Sequence, residues 1–278
     1  MSQKIINMQL NLKLQSNRSQ LPIIDETVMW PYLAKELECI PTPQIELFSG
    51  IKWGYYSQLF TPAYWKAQYL MHNQDNNFSI NYRLGENILE EVVACLLGGF
   101  GLKSEIGLAA FDRLKKRGQI KKGASFDTIC QSLKEPFSNK QKKVHYRFPN
   151  QKAKFISEFL NRDDLNSIPY YCDLTFREWL ISVNGIGPKT ASWITRNFLN
   201  SENVAIIDVH IHRACKLMGL ISNHLDIQKD YFILEKIFLD FCKKLEVQPS
   251  KMDALMWLQM KESNKVALKA INNNRKKQ

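Results

Sequence analysis

Residues 173–220 read DLTFREWLISVNGIGPKTASWITRNFLNSENVAIIDVHIHRACKLMGL, and this stretch decides the fold. Phe176, Leu180 and Val183 recur at the spacing of one helix face, and Ala191, Ile194 and Phe198 do so again beyond a glycine pair. Thr175 with Glu178 three residues later has the form of a capping box, which predicts that the first helix starts there. Gly185 and Gly187 suit a turn that needs positive φ or a close backbone approach. Pro188 suits the first position of the next helix, where its missing N–H has no intrahelical partner to lose. Lys189 then lies in that helix's first turn. The apolar run VAII, residues 204–207, delivers Asp208 to the start of a third helix.

Working outward, a chain of 278 residues can bury a large core and divide into two subdomains. Hydrophobic content of 45% with 23% charge is that of an ordinary soluble globular protein. The net charge of +11 is not ordinary; it favours a polyanionic partner, or else marks a basic surface that binds nothing. No run approaches the roughly 18–20 apolar residues that span a membrane, and MSQKIINMQLNLKLQ lacks the apolar core and cleavage site of a signal peptide. The six cysteines are scattered without a C-x-x-C pair or metal-ligand spacing, as expected of reduced thiols in a cytosolic protein.

Residues 1–80 are the least regular. Met8, Leu10, Leu12 and Leu14 alternate with polar residues and predict one strand. Residues 45–60, IELFSGIKWGYYSQLF, predict a strand turning at Gly50 or Gly54, after which Thr61 and Pro62 read as the N-cap and first residue of a helix. Aromatic residues here serve either as core or as a platform for stacked bases, core being the commoner use. Residues 86–101, ENILEEVVACLLGGFG, predict a buried central helix ending at Gly98 and Gly99. An amphipathic helix closed by Gly118 follows, and helices are predicted over 151–162, 228–245 and 249–262. Two basic stretches, residues 113–122 and 134–154, are either solvated faces or phosphate contacts, the second interleaved with Phe137, Tyr146 and Phe148. The tail NNNRKKQ reads as disordered. The expected fold class is mainly α with some β-strand in the N-terminal region. Its parts are residues 1–80, packing with the C-terminal helices, a helical lobe over 81–200 containing the hairpin (175–198), and a C-terminal helical lobe over 201–278.

A glycine hairpin between two helices gathers backbone N–H groups at a helix N-terminus, a natural phosphate seat that reads no base sequence. Lys189 beside the positive end of that helix is either a surface lysine touching a phosphate or, once desolvated, a nucleophilic amine. Asp208 is either an N-cap or a carboxylate facing a cleft. His210 and His212 diverge on a helix and have no third ligand in sight, so no metal site is expected.

The order NGIGPKTAS, then VAIIDVHIHR, resembles the helix-hairpin-helix DNA glycosylase superfamily and, within it, the 8-oxoguanine glycosylase branch. That branch carries a hydrophobic-x-G-x-G-x-K-x-A hairpin followed by D-x-H. The resemblance implies two helical lobes with the helix-hairpin-helix at the cleft. It makes Lys189 the nucleophile, Asp208 the catalytic aspartate, Gly185 and Gly187 the DNA-backbone seat, and His210 a phosphate contact. A lysine at this position implies a bifunctional DNA N-glycosylase and AP lyase. The segment MDALMWLQ is similar to the L-D-x-x-x-W helix of archaeal-type enzymes, which implies that Asp253 and Trp257 hold the damaged base. No four-cysteine loop follows Cys215, so no iron–sulfur cluster is expected, and the only implied ligand beyond DNA is a structural monovalent cation at the hairpin. The implied partner is double-stranded DNA with a damaged base, bound by a monomer away from membranes, in the cytoplasm with the nucleoid or in a nucleus. Two alternatives stand beside excision of 8-oxoguanine: a glycosylase for another modified base, as in foreign DNA, and a non-catalytic helix-hairpin-helix DNA-binding protein.

Overall fold

A computed structural model describes residues 37–73, 82–99, 101–139 and 142–263, together with 35, 265, 267 and 269. The strand expected over residues 8–14 and the tail beyond 269 lie outside them. The described residues form two compact units, one within Asn81–Asn200, the other drawn from Pro22–Ile80 and Ser201–Gln278.

In the second unit a short antiparallel pair, β1 (Glu46–Phe48) and β2 (Ile51–Lys52), turns through Gly50 at φ +77°. Helix α1 (Pro62–Asn73) follows, its N-terminus capped by Thr61 Oγ1, which accepts from the Tyr64 N–H at 3.1 Å. Of the aromatic residues described here, Trp53, Phe60, Trp65 and Tyr69 are core, whereas Tyr55 and Tyr56 are exposed. Helices α8 (Val209–Met218), α9 (Tyr231–Lys244) and α10 (Pro249–Glu262) complete the unit. α10 packs against α1, α8 and α9. The α1 face is tied down by polar contacts as well, with Tyr64 donating to Gln259 at 2.8 Å and Lys66 to the carbonyl of Leu245, the C-cap of α9, at 2.7 Å. Glu202 caps α10 from outside the helix, accepting from the Ser250 N–H at 2.9 Å and from its hydroxyl.

The first unit is built on α2 (Ile88–Leu97). Val92, Val93, Leu96 and Leu97 are wholly buried, as an all-round apolar helix requires. Its first turn is different, because Glu90 and Glu91 are buried too. Glu91 accepts from the Leu84 and Gly85 amides at 2.6 and 2.8 Å, so the loop before the helix hangs on this carboxylate. Burial raises the Glu91 carboxyl above its ordinary range, with the two amides opposing.

Helices α3 (Ser104–Lys116) and α5 (Pro149–Leu160) pack against α2, and α4 (Phe126–Lys134) packs against α3 and α5. Between α4 and α5 lies an antiparallel hairpin that the sequence reading misses, β3 (Phe137–Asn139) with β4 (Lys142–Val144), in register Phe137↔Val144. This places strand outside the N-terminal region as well. Much of the positive charge here also serves the fold. The Arg113 guanidinium donates to the carbonyls of Ser132, Glu135 and Pro136 and covers the Phe137 ring at 3.6 Å. Lys115 pairs with Glu86 and Glu90, and Arg117 with Glu135. Phe137 and Tyr146, interleaved with the cations of the second basic stretch, are core, and the Tyr146 hydroxyl donates to the Leu97 carbonyl at 2.7 Å.

The helix-hairpin-helix consists of α6 (Asp173–Ile181) and α7 (Pro188–Leu199). Helix α6 starts two residues before the expected Thr175, with Cys172 at the N-cap, because Asp173 already supplies first-turn negative charge at the positive helix end. Phe176 and Leu180 are fully buried, and each buried side chain of this size stabilises by about 1.5–3 kcal/mol. Phe176 lies in an aromatic run with Trp179 and Phe198, ring centroids 6.0 and 6.3 Å away. Helix α7 is buried on more than the expected face: Thr190 through Asn197 are all buried, and Arg196 lies near the Tyr82 and Trp193 rings.

Candidate active site

The hairpin is pinned from its first half. Arg162 donates to the Ser182 carbonyl and hydroxyl at 3.2 and 3.0 Å, Asn184 donates to Glu158 at 3.0 Å, and the Ile186 N–H closes a turn onto Val183. Gly185 has φ +91°, and a Cβ there would stand 2.5 Å from Phe155 Cδ2 and 3.0 Å from Leu96 Cδ2. Gly185→Ala is therefore expected to cost about 1–3 kcal/mol of stability, read as a fall in Tm. Gly187 differs: it caps α7 in an extended conformation, and a Cβ there meets nothing within 4 Å. Gly187→Ala should leave Tm unchanged, so that any loss appears in duplex binding alone. Pro188 holds N1 as predicted, and Lys189 follows in the first turn, half-buried, where amides have no intrahelical partner and the helix end is positive.

Asp208 is set up differently. Val204, Ala205, Ile206 and Ile207 are buried in a segment that is neither helix nor strand, and among the described residues no strand pairs with them. Asp208, 4% exposed, caps α8 through Oδ1, which accepts from the His210 and Ile211 amides at 2.8 and 3.1 Å. A carboxylate at a helix N-terminus is held in one rotamer by these bonds.

Four of the side chains singled out from sequence come together in this unit. Asp253, 2% exposed, accepts through Oδ2 from the Ile206 N–H at 3.0 Å, two residues before Asp208. Trp257 meets the His210 ring edge-to-face at 6.2 Å, and the Lys261 ammonium lies 5.0 Å from the Trp257 centroid. Trp257 Nε1 and His210 Nδ1 are buried without a hydrogen-bond partner among the described residues. His212 turns elsewhere, with Nε2 3.1 Å from the Leu225 carbonyl. Lys189, Gly185 and Gly187 belong to the other unit.

Burial holds the His210 imidazole below the ordinary histidine range, with the Asp208 carboxylate opposing and Arg213 and Lys261 reinforcing. Burial does the same to His212, opposed by its bond to Leu225. Both folded-state values lie below the unfolded value of about 6.5, so the stability they contribute is present above that pH and lost as pH falls through and below it. Tm is expected to drop between pH 7.5 and 5.5, and His212→Gln should reduce that slope; an unchanged slope would remove His212 as a contributor.

The sequence reading misses Tyr231 and Glu235. Glu235 accepts from the Ala205 N–H at 3.0 Å, and the Tyr231 hydroxyl donates to the Ala205 carbonyl at 2.9 Å while lying 3.4 Å from the Ile207 N–H. A signal was available: in YFILEKIFLDF the glutamate falls on the same helical stripe as Tyr231, Leu234 and Phe238, all buried.

A glycine hairpin with a lysine after it, and a buried run that ends in a helix-capping carboxylate, are the parts of a helix-hairpin-helix DNA glycosylase. Residues 71–247 match the family described as 8-oxoguanine DNA glycosylase, and the chain belongs to that family. It is similar to the 8-oxoguanine DNA glycosylase/AP lyase of Metallosphaera sedula, with 29% identity over 190 residues, 65% of this chain and 85% of that protein. The 8-oxoguanine DNA glycosylase/AP lyase of Thermotoga petrophila is 30% identical over 185 residues, 64% of this chain and 84% of that protein. The crystal structure of the 8-oxoguanine DNA glycosylase of Thermotoga maritima matches with a TM-score of 0.46 and 20% identity, over 91% of this chain and 97% of that one.

Proposed function

We propose that the protein removes 8-oxoguanine from duplex DNA and then cleaves the strand at the abasic site, acting as a monomer. The observation that carries this reading is that the family match over residues 71–247 includes both Lys189, in the first turn after the open Gly187, and Asp208, at the head of α8. A damaged base inside a duplex is out of reach, so the nucleotide is flipped out at a cost of a few kcal/mol of unstacking. The hairpin amides and the helix dipole of α7 seat a backbone phosphate, and the cations not engaged in the fold add salt-dependent affinity.

As the bond between the base and C1′ lengthens, positive charge grows on the sugar, and the Asp208 carboxylate stabilises it. The base leaves with the bonding electrons while the neutral Lys189 amine forms the Nζ–C1′ bond and gives up a proton. The sugar ring opens to an iminium, a proton is lost from C2′, and the C3′–O bond breaks to release the 3′ phosphate. Amine and carboxylate suffice for these steps, which call on no metal. Asp253 and the buried indole of Trp257 are assigned to the extruded base.

The testing experiment offers duplexes carrying 8-oxoguanine, other oxidised or methylated bases, or none, and identifies the released base by mass spectrometry. Release of 8-oxoguanine with strand nicking is the expected result. Release of a different base would replace the substrate, and release of none, with salt-sensitive binding retained, would leave a DNA-binding protein.

A further inference from the structure

Residues 204–207 present an unusual supply of backbone hydrogen bonding. They are buried and belong to no helix or strand, so their backbone groups need partners from elsewhere, and among the described residues no strand pairs with them. Side chains supply those partners. The Ala205 and Ile207 N–H groups meet Glu235 and Tyr231, one helical turn apart on α9, while that of Ile206 meets Asp253 on α10. The Tyr231 hydroxyl also donates to the Ala205 carbonyl, so it grips the segment at two residues. The chain is thus held from two helices, and the next residue is Asp208.

We propose that Tyr231 and Glu235 are positioning residues for base excision: they fix where the buried segment 204–207 presents Asp208, without touching the substrate. The inference rests on the catalytic assignment of Asp208 above. The clamp sets the segment's position along its own axis, and the α8 cap sets the carboxylate rotamer, so two independent constraints meet at one side chain. A charge-stabilising group displaced by a fraction of an ångström loses much of its effect, because displacements near 1 Å cost on the order of a hundredfold in rate.

The test compares single-turnover excision from an 8-oxoguanine duplex, duplex affinity, Tm, and borohydride trapping on a preformed abasic site, which needs Lys189 but no glycosidic cleavage. Tyr231→Phe and Glu235→Leu are expected to slow excision by about 10- to 100-fold, with duplex affinity and abasic-site trapping unchanged. Glu235→Gln keeps an oxygen acceptor for the Ala205 N–H and should excise like the wild type. In an Asp208→Asn background, Tyr231→Phe should add nothing further. Wild-type excision by both Tyr231→Phe and Glu235→Leu overturns the inference, as does a parallel fall of excision, trapping and Tm, which marks fold support only. If Asp208→Asn itself excises at the wild-type rate, the assignment beneath the inference fails; a crippled Asp208→Asn beside an unaffected Tyr231→Phe overturns the inference alone.

Discussion

Lys189→Gln is expected to abolish the borohydride-trapped adduct and to reduce abasic-strand cleavage by on the order of a thousandfold or more. Glutamine is one atom shorter and keeps a hydrogen-bonding end but has no nucleophilic amine. The surrounding hairpin should be indifferent, since Gly185, Ile186 and Pro188 keep their geometry and the phosphate seat is made of backbone. Duplex affinity is therefore expected to survive. If Lys189 only touches a phosphate, the pattern reverses: binding weakens, the salt slope falls by about one, and the adduct still forms.

Asp208→Asn is expected to slow base excision by about 10²–10³-fold. The variant separates the two uses of this side chain. Asparagine is as good an N-cap as aspartate, so the bonds from the His210 and Ile211 amides persist and Tm should not move. What is lost is the negative charge that the proposed mechanism assigns to the developing sugar cation. Asp208→Ala removes the cap as well and should cost about 1 kcal/mol of stability besides. Full excision by Asp208→Asn would reduce Asp208 to a structural cap. Cleavage of a preformed abasic site should depend on this residue far less than excision does, since the glycosidic bond is already gone.

Much of this was legible in the sequence because it is local. Helical spacing placed Phe176 and Leu180 inside, Gly185 marked a positive-φ turn, Pro188 marked the first position of α7, and Asp208 opened α8. Thr61 and Pro62 likewise announced α1. Misreadings arose where side-chain chemistry has two uses. Thr175 and Glu178 have the form of a capping box, but Asp173 and Cys172 start the helix first. Phe137 and Tyr146 sit among cations as nucleic-acid-binding aromatics do, yet they are core, with Arg113 held over Phe137 by three carbonyls. The β3–β4 hairpin is three residues per strand, too short for alternation to show.

By itself the sequence determined the helices, the glycine turn, and the order of lysine and carboxylate, because each depends on residues within a few positions of one another. Only the tertiary structure decided how Asp208 is held. Among the described residues the buried run before it has no sheet partner, and its hydrogen-bond partners come from positions 231, 235 and 253, far along the chain and on two helices. No periodicity encodes such a contact: a backbone amide carries no side-chain signature, and which carboxylate or hydroxyl reaches it depends on how whole helices pack.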